Sequence, residues 1–275
     1  MHEPSPAASP AASSPLTPAF FREAGGVFIG NDGARGPWDP EACHGGPVAA
    51  LLARALELQV PDQVLVRLTV ELPRPVPVAG FTIATTTVRA GRSVAATSAV
   101  LTDEGGRVCA TAYGLHLQQA DIGDVPSPPQ PAPILTEAVP GPFPITAARH
   151  SLPMFGTAVE ARYPPGEDRR PGPTTLWLLT PAILEGEEPS PFQRMCPLAD
   201  CGNAISRNTE LDEANFVNPD LTVFLVRPPR GAWLAAQAVS HWQPSGIGLS
   251  DAALFDLDGF VGRAVQTLLI RPPAT

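Results

Sequence analysis

The chain has 275 residues, of which 44% are hydrophobic, so it is long and apolar enough to bury a substantial core in one or two domains. Its formal net charge of -9 at pH 7 argues against a nucleic-acid-binding surface, although a local basic pocket for a phosphorylated ligand stays open. The cysteines, Cys43, Cys109, Cys196 and Cys201, form no Cys-x-x-Cys pair and accompany no histidine cluster at metal-ligand spacing. We therefore expect reduced thiols, no metal and no cofactor.

The first 17 residues are rich in Pro, Ala and Ser and are predicted to form a disordered leader. They lack the basic start and the apolar run of a secretory signal, and no later stretch is long enough to predict a membrane span. We expect a soluble cytoplasmic protein.

The first structural unit is predicted to be one buried helix followed by an antiparallel meander. His44-Gly45-Gly46-Pro47 opens a run that is apolar on nearly every side, which predicts an enclosed helix near 47–59. Period-two alternation through Leu68, Val70 and Leu72 predicts a strand, and three more strands follow, two of them flanking the turn at 103–106. This unit spans residues 18–118.

A proline-dense segment, 119–150, is predicted to be an extended linker to a second unit at 151–275. In the second unit a helix near 197–207 precedes a strand at 220–226 and three strands within 233–270. The order of elements repeats that of the first unit.

The repeat is also visible in the residues, at a displacement of 153. Leu68-Thr69-Val70 and Arg74-Pro75 recur as Leu221-Thr222-Val223 and Arg227-Pro228, and the turn at 103–108 recurs at 256–261. Two such copies can face each other as the subunits of a homodimer do, and then diverge until one copy keeps the chemistry. Functional residues are therefore expected where the copies differ.

The sequence resembles the acyl-CoA thioesterases built from two fused hotdog domains, the thioesterase II family and its actinobacterial relatives. The resemblance covers about residues 18–271, and its motifs are Trp38-x5-His44-Gly45-Gly46-Pro47, Leu68-Thr69-Val70-Glu71-Leu72 with Arg74-Pro75, Gly248-Leu249-Ser250 and Gly262-Arg263-Ala264-Val265-Gln266-Thr267. The fold class it implies is α+β, two hotdog domains, each an antiparallel sheet wrapped around a central helix. With the repeat, this predicts that the two sheets join edge to edge. The activity it implies is hydrolysis of a fatty or related acyl-CoA thioester.

Hydrolysis on such a scaffold needs a base to activate water and donors for the oxyanion. No Gly-x-Ser-x-Gly motif occurs, which counts against a serine hydrolase. The resemblance assigns the base to Asp220, with Gln266 on the last strand and His241 where the family carries Thr or Ser; Ser240 is one residue away. The first-unit counterparts, Arg67 for Asp220 and Tyr113 for Gln266, could not take over those roles.

His44, Gly45 and Gly46 are predicted to bind substrate, with helix N–H groups directed at developing negative charge. The alternative is a glycine turn that only lets the helix enter the sheet. In single-hotdog thioesterases with His-Gly-Gly the catalytic carboxylate lies nine residues after the histidine, where this chain has Ala53. That class is excluded.

Two other functions stay open at this point: a non-catalytic acyl-CoA or acyl-carrier-protein binding protein of a lipid or polyketide pathway, and a hydratase acting on enoyl-CoA. The expected partner is the acyl-CoA substrate, whose phosphates Arg74, Arg227 or Arg230 could meet. No nucleic acid and no membrane span are expected, and a homo-oligomer stays open.

Overall fold

The computed structural model describes residues 19–145 and 150–273. The predicted leader, 1–17, lies outside the described residues. Within the described ranges no helix combines the length and the apolar character needed to cross a bilayer.

The first half contains a hairpin, a 13-residue helix and four further strands. The last three of these strands form a meander, but the first pairs with the last and not with its neighbour in sequence, which corrects the predicted order. Its strands, β1 to β6, are Phe21–Ala24, Val27–Gly30, Val64–Glu71, Phe81–Arg89, Val94–Asp103 and Val108–Leu117. Helix α1, Gly45–Glu57, is capped by His44, whose Nδ1 accepts a hydrogen bond from the backbone N–H of Gly46. Its apolar side chains are buried all round, as the sequence predicted.

The second half has the same order of elements. Its strands, β7 to β14, are Val139–Gly141, Glu160–Tyr163, Thr174–Leu179, Asn215–Val217, Asp220–Leu225, Leu234–Trp242, Ile247–Asp256 and Gly259–Arg271. Its helices are α2, Phe155–Ala158; α3, Pro191–Ala199; and α4, Gly202–Ser206. Strand β7 lies within the segment predicted to be a linker, so the extended part of that segment is shorter than expected.

The central helix of the second half begins earlier than predicted. Pro197 was taken as its start, but it lies inside α3. The helix begins at Pro191, because the hydroxyl of Ser190 accepts a hydrogen bond from the backbone N–H of Gln193 and a first-turn proline needs no N–H partner. The helical segment therefore includes Asp200, which lies between α3 and α4.

The two halves form one continuous antiparallel sheet joined through β3 and β11. In that joint Thr69 pairs with Thr222, its own counterpart in the repeat, and Thr222 Oγ1 donates to Thr69 Oγ1 at 3.2 Å. A residue can pair with its own repeat only at a two-fold axis, so the axis relating the halves passes through this pair. The edge-to-edge double hotdog expected from the sequence is confirmed.

The repeat changes register after the axis. Leu101 pairs with Ala110 in the first half, whereas Leu254 pairs with Gly262 in the second, so the first hairpin turn is one residue longer. The displacement therefore falls from 153 to 152 in the last strand of each half. The first-half counterpart of Gln266 is Gly114, which corrects the expected Tyr113.

The central helices pack against each other at a point where only glycine fits. A Cβ on Gly46 would lie 2.8 Å from both the Cα and the carbonyl oxygen of Pro197, and these backbone atoms belong to α3. This close approach brings the start of α1 beside the end of α3.

We expect Gly46→Ala to destabilise the protein by about 1–3 kcal/mol, because the added methyl group forces apart two packed helices. Urea unfolding would measure the change. Gly36→Ala is the matched control, since its Cβ would meet its nearest neighbours at 3.5 Å, an ordinary contact. Equal stability of the two variants would contradict the close packing.

Candidate active site

A cavity of about 360 Å³ opens where the start of α1, the junction of α3 and α4, and the chain leading into β11 meet. Its apolar lining includes Trp38, Leu72, Val76 and Phe216. Two polar groups in its lining, Asp200 and His44, come from different halves of the chain. The cavity therefore exists only in the assembled double domain.

Asp200 is the best-connected carboxylate in this cavity. Its Oδ1 accepts hydrogen bonds from Asn218 Nδ2 at 2.8 Å and from Gln266 Nε2 at 3.1 Å. Its Oδ2 lies 3.2 Å from His44 Nδ1, and 2.9 Å from the place where Gly45 would carry a Cβ. One oxygen is thus fixed by two amides, while the other faces the start of α1.

Burial disfavours the charged forms of Asp200 and His44, and it therefore shifts their pKa values in opposite directions. It raises the pKa of Asp200 from 3.8 to about 7, opposed by the hydrogen bonds from Asn218, Gln266 and the backbone of Gly46. It lowers the pKa of His44 from 6.5 to about 4. The site thus pairs a carboxyl group that titrates near neutrality with a neutral imidazole, and a carboxyl group with such a pKa is suited to act as a base.

Gln266 lies at the end of a row of polar side chains that runs across the inner face of the sheet. Ser240 pairs with Ser250, and Ser250 pairs with Gln266. Gln266 also donates to the backbone oxygen of Asp200 at 2.9 Å and accepts from the backbone N–H of Asn203 at 3.2 Å. Its amide therefore ties the α3–α4 junction to β14 and holds Asp200 in place.

Ser240 takes part in this network through hydrogen bonds to the helix. It donates to Asn203 Oδ1 at 3.0 Å and lies 2.9 Å from Ser206 Oγ, and Trp242 Nε1 donates to the same Asn203 oxygen at 2.9 Å. These contacts hold α4 against β12.

The structure does not bring Asp220 and His241 together with Gln266. Asp220 pairs with Glu71 across the joint, and its Oδ1 accepts a hydrogen bond at 2.7 Å from the backbone N–H of Thr267, the neighbour of Gln266. Successive strand residues point to opposite faces, so Asp220 lies on the outer face while Gln266 is buried on the inner face. The carboxylate that meets Gln266 is Asp200.

His241 is displaced for the same reason. It is exposed and pairs with Leu249, itself 42% exposed, whereas the adjacent Ser240 is buried on the inner face. A one-residue difference in alignment exchanges the two faces of a strand. The inner-face position expected for His241 is thus occupied by Ser240, the neighbour noted in the sequence.

His44, Gly45 and Gly46 do meet at the cavity. The ring of His44 stacks on Phe155 with a centroid distance of 4.1 Å, which fixes its plane. Both glycines approach Asp200 closely, since a Cβ on Gly46 would lie 3.2 Å from the Asp200 Cβ. The glycines therefore serve the packing of the helix and the shape of the site together.

The three arginines considered for phosphate binding lie in different places. Arg74 lines the cavity and donates to the backbone oxygen of Val108. Arg227 forms two 2.6 Å hydrogen bonds with Asp256, and Arg230 pairs with Asp258. Both arginines follow the end of β11, whereas the cavity lies at its start. Arg74 is the one of the three beside the site.

Cys43 also lines the cavity, but burial raises the pKa of its thiol to about 12. A thiol that stays protonated at neutral pH is a poor nucleophile. Cys43 is therefore a weaker candidate for the chemistry of this site than Asp200.

Two family models match the sequence. The acyl-CoA thioesterase N-terminal domain matches residues 34–117, and the acyl-CoA thioesterase C-terminal domain matches residues 128–270. These matches span most of the chain, and the protein belongs to the acyl-CoA thioesterase family. No curated protein matches the sequence.

Solved structures share the fold at low sequence identity. A provisionally named thioesterase from Novosphingobium aromaticivorans is 18% identical with a TM-score of 0.70, over 92% of this chain and 98% of that chain. A hotdog-fold protein of unknown function from Alicyclobacillus acidocaldarius is 18% identical with a TM-score of 0.69, over 92% and 96%. An acyl-CoA thioesterase II from Mycobacterium marinum is 17% identical with a TM-score of 0.59, over 90% and 93%.

Proposed function

We propose that the protein hydrolyses acyl-CoA thioesters by base-activated water, with Asp200 as the general base in place of Asp220. The supporting observation is the buried Asp200 carboxyl group, which is held by the amides of Asn218 and Gln266 beside an apolar cavity. Membership of the acyl-CoA thioesterase family supports the same reaction class.

In the proposed reaction Asp200 takes a proton from water as the water oxygen attacks the thioester carbonyl carbon. The amides of Asn218 and Gln266 engage Oδ1, so Oδ2, which faces the start of α1 and lies 3.2 Å from His44 Nδ1, is the oxygen that takes the proton. The tetrahedral oxyanion is stabilised at the start of α1 by the backbone N–H of Gly45 and the helix dipole, because the Gly46 N–H is bonded to His44 Nδ1 and Pro47 has no N–H. Collapse of the intermediate breaks the C–S bond, and the Asp200 proton passes to the CoA thiolate.

We propose that His44 orients the Asp200 carboxylate and the attacking water and takes no part in proton transfer. Burial lowers its pKa to about 4, so the ring is neutral wherever Asp200 is ionised. Its stacking on Phe155 and its hydrogen bond from the Gly46 N–H fix the ring beside Asp200. Because Nδ1 is an acceptor in the neutral ring, only the protonated Asp200 carboxyl group can donate to it across the 3.2 Å to Oδ2. The ring therefore limits the positions that the carboxylate and the attacking water can adopt.

The test is a screen of the purified protein against acyl-CoAs of graded chain length, read as free thiol release. Steady thiol release supports the thioesterase. Binding without thiol release would identify a non-catalytic acyl-CoA binding protein, and consumption of an enoyl-CoA without thiol release would identify a hydratase.

We expect the rate of thiol release to rise with pH and level off above about pH 7, because the base must be ionised and its pKa is raised to about 7. His241→Thr should keep both the rate and the inflection, since His241 lies on the exposed outer face. Loss of the inflection together with the rate in His241→Thr would contradict this assignment and make His241 the titrating group.

A further inference from the structure

A second cavity, of about 890 Å³, lies on the other side of the two-fold axis. The repeat displacement of 153 carries residues 72–75 of the first cavity onto 225–228, and 216–219 onto 63–66. Residues 225–228 and 63–66 all line the second cavity. It is therefore the counterpart of the candidate active site in the other half of the repeat.

The polar centre of the second cavity is Glu57, near the end of α1. Ser190 Oγ lies 2.9 Å from Glu57 Oε1 and 2.8 Å from Oε2, and Gln193 Nε2 donates to Oε2 at 2.7 Å. Ser190 caps α3 as His44 caps α1. In each cavity, then, the N-cap of one helix meets a carboxylate on the helical segment of the other half.

The groups proposed for hydrolysis are not repeated there. The counterpart of Gln266 is Gly114, and the ring of His116 fills the space: a Cβ on Gly114 would lie 3.1 Å from His116 Nε2. That nitrogen lies 2.8 Å from the Thr97 hydroxyl in a buried pair. The second half-site thus has a cavity and a carboxylate held by Gln193 but no counterpart of Gln266 on the sheet, which favours binding without turnover.

The charges around the second cavity define the kind of ligand it would accept. Arg54 is paired with Glu187, Arg227 with Asp256, and Glu188 with Arg194. Among the described residues, the hydrogen bonds to Glu57 come from the neutral Ser190 and Gln193, so its charge has no cation against it. Burial raises the pKa of Glu57, opposed by the hydrogen bonds from Gln193 and Ser190, and in its ionised form this carboxylate would repel an anionic head group.

Gln63 also lines the cavity, and its Nε2 donates to the backbone oxygens of Gly91 and Arg92. Its Oε1 is buried away from solvent, so this oxygen is closed to a ligand. The acceptors offered to a ligand are therefore the oxygens of Glu57, which favour a ligand with hydrogen-bond donors.

Large apolar side chains surround these acceptors. Leu58 is 62% exposed, Ile122 75% and Val226 73%, and all three line the cavity. We propose that the second cavity binds an uncharged amphiphile, in which an apolar chain covers these side chains and an amide or hydroxyl head group donates to Glu57. This site goes beyond the proposed function, because it needs no hydrolysis.

The test uses octanamide and octanoate, which share a chain and differ in the donor and the charge of the head group. Protein labelled at the isoleucine δ-methyl groups is titrated with each at pH 8 and followed by NMR. Ile122 lines the second cavity and Ile145 the first, so their signals report the two cavities separately. We expect octanamide to shift the Ile122 signal saturably, at least tenfold more tightly than octanoate.

Glu57→Gln should reduce the preference for octanamide over octanoate at Ile122 by about tenfold, since a neutral amide neither attracts donors as strongly nor repels a carboxylate. Glu137→Gln, which changes an exposed carboxylate outside the cavity lining, should leave the preference unchanged. Unchanged signals of the other isoleucines show that both variants are folded.

Three results would overturn the proposal: no response of Ile122 to octanamide, equal affinity for octanamide and octanoate in the wild type, or an unchanged preference in Glu57→Gln. An Ile122 signal that shifts with protein concentration alone would show instead that a second copy of the chain covers the cavity. Thiol release from acyl-CoA is measured separately, so failure here leaves the proposed hydrolysis untouched.

Discussion

Asp200→Asn is expected to lower thiol release from acyl-CoA by about 10²–10⁴-fold, the contribution that a general base typically makes. The amide has nearly the shape of the carboxylate, and its oxygen can still accept from Asn218 and Gln266. What it lacks is the capacity to take a proton from water. Turnover with a saturating acyl-CoA measures the effect, and circular dichroism verifies the fold.

Asp220→Asn makes the same chemical change 20 residues away and serves as the matched control. Its side-chain oxygen can still accept from the Thr267 N–H on the outer face, so turnover should stay near the wild-type value. If Asp220→Asn lost activity and Asp200→Asn kept it, the base would belong to Asp220.

The same Asp200→Asn substitution should stabilise the protein at pH 8. The pKa of Asp200 is raised from 3.8 to about 7, so the folded protein holds this proton more tightly than the unfolded chain does. The stability that the protonated form contributes is fully present below about pH 4 and is lost as the pH rises through about 7. A rise of about three units corresponds to roughly 4 kcal/mol, and we expect a gain of about 2–4 kcal/mol at pH 8.

Urea unfolding of both proteins between pH 4 and pH 8 measures this difference. It should be small near pH 4 and grow toward pH 8, since asparagine carries no charge at any of these values. A difference that is independent of pH would show that Asp200 is not buried as a destabilised carboxylate. Stability gained together with activity lost is typical of a site that keeps a charged group out of water.

The architecture could be predicted because its evidence is spread over many residues. The displacement of 153 between Thr69 and Thr222 was visible in the sequence, and it predicted both the matched halves and the edge-to-edge joint. The boundaries of the second helix were less certain, because Pro197 resembles a helix start until Ser190 and Pro191 are recognised as a better one.

The site was harder to predict, because the evidence for each of its residues comes from one sequence position and not from a repeated pattern. Asp200 follows a helix and resembles an ordinary capping residue; its role depends on burial by α1, which comes from the other half. Gln266 was predicted and does meet a carboxylate, but strand alternation places Asp220 on the opposite face from it. No local pattern reports which face of a strand the distant helix covers.

The position of the joint also bears on how the molecule behaves on dilution. Residues 121–130, between the halves, are all exposed, so apart from the part of Ile122 that lines the second cavity the tether buries little surface of its own. What it contributes is an effective concentration on the order of millimolar between the halves, which makes their association intramolecular. The cavity shared by His44 and Asp200 should therefore stay assembled at any protein concentration, whereas the same cavity built from two separate chains would depend on concentration.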